Sequence, residues 1–175
     1  MQAKFFLVPV AAVACAQPAL AEDSATFLSV EQAQRVLFPG ATFRPDFFDL
    51  SEAQFNLIRD TAKITQWVRY IRAWRVSTGG WFLVDHVVGR DDMIKYGIGL
   101  TADGQVTGIE ILECLPRYDG IRNPAWRRQV AGARRASYNP DAVRSISGAT
   151  LSSEHVADGV KRVLVTYDLL LKNRR

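Results

Sequence analysis

Cysteine, histidine and long apolar runs are all scarce in this chain. Of its 175 residues only two are cysteine and two are histidine, and His86 and His155 stand 69 positions apart. There is no Cys-x-x-Cys pair, no Cys-x-x-Cys-His and no histidine cluster at ligand spacing, so neither a zinc site nor a covalent haem is expected. Gly97 and Gly99 share a strand-like run without the third glycine and following helix of a dinucleotide fingerprint. Gly-x-Ser-x-Gly is also missing. Ser152, His155 and Asp158 are close in sequence but follow no nucleophile-elbow order, which argues against hydrolase chemistry. With 48% apolar and 23% charged residues and neither repeats nor low-complexity tracts, the composition excludes disorder and multi-pass membrane classes and predicts a single domain.

The longest apolar stretch, residues 5–16, follows Lys4 and leads to Ala19-Leu20-Ala21. Twelve residues fall short of the roughly 20 that span a bilayer, and a basic start, apolar centre and small-x-small end read as a signal peptide over residues 1–21. The expected location is therefore the periplasm, with residues 22–175 as the mature domain. Removing the leader takes away Lys4 and Cys15 and leaves 21 basic against 18 acidic groups. That balance is too mild for nucleic-acid binding. Cys114 has no partner for an internal disulfide, so stability must come from a core.

Two helices announce themselves by capping boxes. Ser29 with Gln32 precedes Ala33, Val36 and Leu37 before Pro39-Gly40, and Ser51 with Gln54 precedes Phe55, Leu57, Ile58 and Ala62. Residues 41–50 read as an extended connection. Strand-length runs follow at 74–78, 81–88, 94–101 and 106–113, with Asp103-Gly104 as a hairpin turn. Turns this short admit no crossover helix, so the sheet is antiparallel over 81–113 and a Rossmann architecture is excluded. Asn123, Pro124 and Gly132 bound a short helix. Val156, Val160, Val163, Leu164, Tyr167 and Leu171 mark one face of a final helix starting near Ser152, whose end is complemented by Lys172, Arg174 and Arg175. The expected class is α+β: helices packed on a curved antiparallel sheet, with the C-terminal helix following a chemically distinctive loop.

That loop is Ser145-Ile146-Ser147-Gly148-Ala149-Thr150-Leu151-Ser152-Ser153. Gly148 permits close backbone approach or positive φ, and Thr150 stands where a helix start offers unsatisfied N–H groups and a positive dipole end to a phosphate. Taken alone the pattern also suits an ordinary N-cap by Thr150 or Ser152. Just upstream, Arg117, Arg122, Arg127, Arg128, Arg134, Arg135 and Arg144 face only Asp119 and Asp141, a local balance of +5 over residues 117–144. Such a segment is either a solvated surface or a docking face for an acidic partner.

The loop, together with Phe38-Pro39-Gly40-Ala41, Asp85-His86-Val87-Val88-Gly89-Arg90, the hairpin from Ile98 to Ile111 and Trp126-Arg127-Arg128-Gln129, resembles the FMN-binding domain family. That family includes the C subunit of the sodium-pumping NADH:quinone reductase and the G subunit of the Rnf complex, and the chain looks closest to small stand-alone exported members. The resemblance implies one FMN per chain, joined through its phosphate to Thr150 by a flavin transferase. It implies a cofactor site around Ser147, Gly148, Ala149, Leu151, Ser152 and Ser153, with no metal. Arg144, standing where the family commonly has aspartate, or Arg134 would balance the phosphate. Trp81, Tyr118 and Trp126 are the aromatic candidates for the isoalloxazine. The implied role is electron transfer between a membrane redox partner and a periplasmic acceptor, rather than self-contained turnover. Two alternatives are a module that binds FMN or another phosphorylated ligand reversibly, and an adaptor docking through the arginines.

Overall fold

Four long strands form the spine of the molecule. In the computed structural model, which describes residues 24–65 and 68–174, β4 (Tyr70–Val76), β5 (Trp81–Val88), β6 (Met93–Leu100) and β7 (Val106–Cys114) pair in succession. The leader expected over residues 1–21 lies outside the described residues. Short β1 (Ala25–Thr26) pairs with β7 on one edge, while β2 (Phe43–Pro45) and β3 (Phe48–Asp49) pair with successive parts of β4 on the other. All pairings are antiparallel, as the short turns require, and two register shifts between β6 and β7 help the sheet curl. Gly104 takes φ +77 in the β6–β7 turn, and a Cβ there would also stand 2.2 Å from the Tyr167 ring.

Local differences from expectation have physical causes. β4 starts four residues before the expected run and ends at Val76. Arg72 and Arg75 interrupt its apolar pattern, yet their guanidinium groups lie over the rings of Trp74 and Trp81, so the strand accommodates both. The expected connection over 41–50 is split into β2 and β3 around Asp46. The Asp46 carboxylate pairs with Arg75 at 2.7 Å and Arg174 at 2.9 Å. Arg174, expected to complement a helix dipole, instead ties the chain end to the sheet edge and covers the Phe48 ring.

Helices α1 (Val30–Leu37) and α2 (Glu52–Ala62) carry both bonds of their capping boxes. Their inward faces are narrower than the apolar pattern suggested: Ala33, Ile58 and Ala62 are buried, while Val36 and Leu57 face solvent. The sheet alternation sorts the core into two layers. Phe82, Val84, Trp74 and Leu112 pack beneath α1. On that side Gly97 and Gly99 make room for the rings of Phe82 and Phe38, which an added Cβ would approach to 2.8 and 2.7 Å. Leu83, Val87, Tyr96, Ile98 and Ile109 face α2 and α4 (Thr150–Thr166), the latter continuing as one π turn over Tyr167–Leu171. Cys114 is buried in this layer, and burial pushes its thiol pKa up to about 11.

The expected face of α4 is buried in full, and so is Arg162, which apolar periodicity does not find. Its Nη2 donates to Asp85 Oδ2 and to the His86 carbonyl, both at 2.6 Å, and its Nη1 donates to the Thr65 carbonyl at 3.1 Å. Tyr96 Oη donates to the same Asp85 oxygen at 2.7 Å. Gly159 lets the helix close on this group, since a Cβ there would stand 2.4 Å from Tyr96 Oη. Asp85→Asn leaves the guanidinium buried without its counter-charge and is expected to cost about 3–5 kcal/mol. Urea unfolding monitored by tryptophan fluorescence measures it, and a loss under about 1 kcal/mol would mean that the pair does not lock α4 to the sheet.

Candidate functional site

The loop ahead of α4 is held from three sides. Trp126, buried on the short helix α3 (Pro124–Arg127), donates its indole N–H to the Arg144 carbonyl at 2.9 Å, and the Arg144 amide donates to Gln129 Oε1 at 3.0 Å. Two residues on, the Ile146 amide donates to Ser153 Oγ at 3.1 Å while that hydroxyl donates to the Thr150 carbonyl at 2.8 Å. A tight turn then closes through the Ala149 amide and the Ile146 carbonyl at 3.0 Å. Gly148 occupies it with φ +85, and a Cβ there would meet nothing within 4 Å. Glycine is therefore needed for its backbone angle and not for room. Ala149 is buried against Leu115 and Tyr118.

The helix that follows starts unlike its neighbours. α1 and α2 have side-chain caps and an acidic residue in the first turn; α4 has no side-chain cap at Ala149 and no acid in its first turn. Neither capping role considered for Thr150 or Ser152 is realised. Thr150 is exposed, with Oγ1 donating to the Ile146 carbonyl at a long 3.2 Å. Ser152 is 1% exposed and its hydroxyl has no partner. An orphaned buried hydroxyl is costly, so it marks a place where a polar group belongs. These residues line a cleft of about 210 Å³ made by residues 148–152, Tyr118 and Arg90.

The candidate residues divide on this geometry. Gly148, Ala149, Thr150, Leu151 and Ser152 line the cleft, while Ser147 and Ser153 belong to the same loop without lining it, Ser153 through its bonds to Ile146 and Thr150. Tyr118 lines the cleft and is fixed by donating to Asp91 Oδ2 at 2.5 Å. Trp126 acts from behind, through the Arg144 carbonyl. Trp81 begins β5, whose opposite end leads to Arg90, and lies under Arg75; the structure does not bring it to the cleft. Arg144 is exposed and turned to Gln129, and Arg134 pairs with Asp103 at the β6–β7 turn, so neither lines the cleft. Arg90, which does, carries no motif of its own in the loop and is found only once the β5–β6 turn is placed.

A larger cavity of about 450 Å³ lies further along α4, between His155, Asp158, Lys161 and the ends of β5 and α2. His155 Nδ1 is fixed on the Val88 carbonyl at 2.5 Å. Burial raises the Asp158 carboxyl, opposed by the nearby His155 and Lys161. As expected of neighbours on a strand, Asp85 points to α4 while His86 lies on the other face, where burial lowers its pKa.

Residues 89–165 match the family model of the FMN-binding domain. The match runs from the β5–β6 turn through the loop and nearly all of α4, 77 of the 175 residues, and it supports an FMN-binding domain and flavin binding. No curated protein matches the chain. The residues present fit the phosphate end of FMN: an uncapped helix start, a buried hydroxyl without a partner and an exposed threonine at one small cleft.

The arginine-rich segment changes its meaning in three dimensions. Arg127 is half-buried, with its guanidinium on the Glu110 carboxylate and on the Ile109 carbonyl at 2.9 Å. Arg117 pairs with Asp91, Arg122 with Asp119 and Arg134 with Asp103. Asp91, Asp103 and Glu110, brought from outside the segment, thus offset three charges of the local +5, and Arg127 belongs to the fold. Arg127→Gln is expected to cost about 3 kcal/mol in denaturant unfolding, because it strands Glu110. Arg128→Gln, at an exposed position, should stay within about 0.5 kcal/mol. Equal effects would contradict this division.

Proposed function

We propose that the chain is an exported electron-transfer flavoprotein whose single FMN is esterified through its phosphate to Thr150 Oγ1. The observation that carries this reading is the exposed Thr150 hydroxyl at the uncapped start of α4, beside the unpartnered Ser152 hydroxyl. Forming the ester joins Oγ1 to phosphorus and breaks the bond between phosphorus and the leaving group of an activated flavin. The threonine proton departs with that group, so the product is FMN less one water. A flavin transferase is the partner for this step. Thr150 gives up only its long bond to the Ile146 carbonyl, which keeps the Ala149 amide as donor. The loop therefore survives esterification unchanged.

Once esterified the phosphate is a monoanion, which suits amide donors at residues 151 and 152 together with the Ser152 hydroxyl. Gly148 holds the backbone turn that exposes them. At about 210 Å³ the cleft is smaller than the roughly 300 Å³ at which sites for whole cofactors begin. It takes the phosphate end, with Tyr118 and the exposed Leu151 as the apolar surface at its mouth. When bound, FMN supplies one- or two-electron transfer at its isoalloxazine. A membrane redox donor and a periplasmic acceptor, with export directed by residues 1–21, complete the reading.

Reversible FMN binding is the second reading, favoured by Arg144 at a position where the resembled family commonly has aspartate. In a host with a flavin transferase, the native protein should keep its yellow colour after denaturation and gel filtration. Thr150→Ala should be folded and lose all colour under the same treatment. Colour lost from the native protein would establish the reversible reading, and colour retained by Thr150→Ala would place the attachment elsewhere.

A further inference from the structure

We propose that Arg90 is the phosphate-binding cation of the Thr150 cleft, presented there by a turn that is pinned in place for this purpose; the assignment rests on the flavin reading above. Among the residues lining the cleft Arg90 is the one that carries a charge. An anion held there meets a guanidinium on one side and the start of a 17-residue helix on the other. The Ser152 hydroxyl, buried and without a partner, supplies a third contact from within the wall. Arginine suits the task because its planar fork places two parallel N–H donors on two phosphate oxygens.

How the turn is held explains why this arginine, among many, is available. The turn over residues 89–92 is closed by the Gly89 amide donating to the Asp92 carbonyl at 2.7 Å. Gly89 admits no side chain: a Cβ would stand 2.4 Å from Asp92 Oδ1 and 3.1 Å from Ile94. Asp92 Oδ2 accepts the Leu115 amide at 2.6 Å. Asp91 Oδ2 accepts the Tyr118 hydroxyl at 2.5 Å and pairs with Arg117 at 3.1 Å. Both carboxylates that follow Arg90 are thereby engaged with residues 115–118, the segment whose Tyr118 lines the cleft. The Tyr118 hydroxyl, then Arg117, hold the Asp91 carboxyl below the usual carboxylate range, so this latch stays charged across the working range of pH. Asp91 and Asp92 are positioning residues; Arg90 is the contact.

The test uses the full chain produced without a flavin transferase, titrated with FMN, with riboflavin, which lacks the phosphate, and with inorganic phosphate as competitor. Native protein should bind FMN about tenfold or more tighter than riboflavin, and excess inorganic phosphate should weaken FMN binding only. Arg90→Gln should bring the FMN preference to within about threefold with riboflavin affinity unchanged, while Arg90→Lys keeps part of it. Arg144→Gln should keep it all. An undiminished preference in Arg90→Gln, or its loss in Arg144→Gln, would overturn the assignment while leaving flavin binding intact. Native protein that binds FMN and riboflavin equally would also overturn it. If native protein binds neither, the flavin reading fails first and the role of Arg90 with it.

Discussion

The buried pairing of Arg162 with Asp85 is the constraint on which the rest of the structure depends. A guanidinium and a carboxylate this deep need hydrogen-bond partners beyond each other, and here Tyr96, the His86 carbonyl and the Thr65 carbonyl supply them. Those partners come from β5, β6, the end of α2 and α4. Satisfying one ion pair therefore fixes the register of the terminal helix against the sheet. Gly159 is the geometric condition for that approach. Because α4 is a single rigid element, locking it at Arg162 also sets where Thr150 stands three turns earlier.

Rigidity at one end makes openness at the other affordable. α1 and α2 satisfy their N-cap and N3 N–H groups with their own serine and glutamine side chains, and each places an acid in its first turn, which disfavours an anion there. α4 opens without a cap on a turn that needs a left-handed glycine, and it buries a hydroxyl with nothing to bond. Each feature alone is a small local cost. Gathered at one cleft beside an arginine, they make a polar surface whose charge suits an anion. The walls are held independently of any ligand: the loop by Trp126 and Ser153, the facing turn by Asp91 and Asp92.

What the sequence discloses follows from how local each interaction is. Capping boxes, the Asp103-Gly104 turn and the apolar face of α4 depend on residues three or four apart, and all are found where the pattern puts them. Ser147 to Ser153 are contiguous and so stand together, but their pattern alone also suits an ordinary N-cap, and the resemblance to a flavin-binding family is what singles the loop out. Arg90 and Asp85 both fall within the stretch 85–90, but their surroundings depend on α4 and on residues 115–118, which no spacing along the chain reveals. Arg127 shows the opposite error: counted as surface charge, it is paired with Glu110 from β7. Trp81 was grouped with Tyr118 because both are aromatic, while the sheet places them apart. Charge and aromaticity in a sequence state what a residue can do, and tertiary pairing decides whether it is free to do it.

The measurement that bears most directly on the central claim is tandem mass spectrometry of the tryptic peptide over residues 145–161 from protein exported in its native host. The account predicts that this peptide carries the mass of FMN less one water, with fragmentation locating the addition at Thr150. An unmodified peptide, or flavin located at Ser147, Ser152 or Ser153, would contradict it.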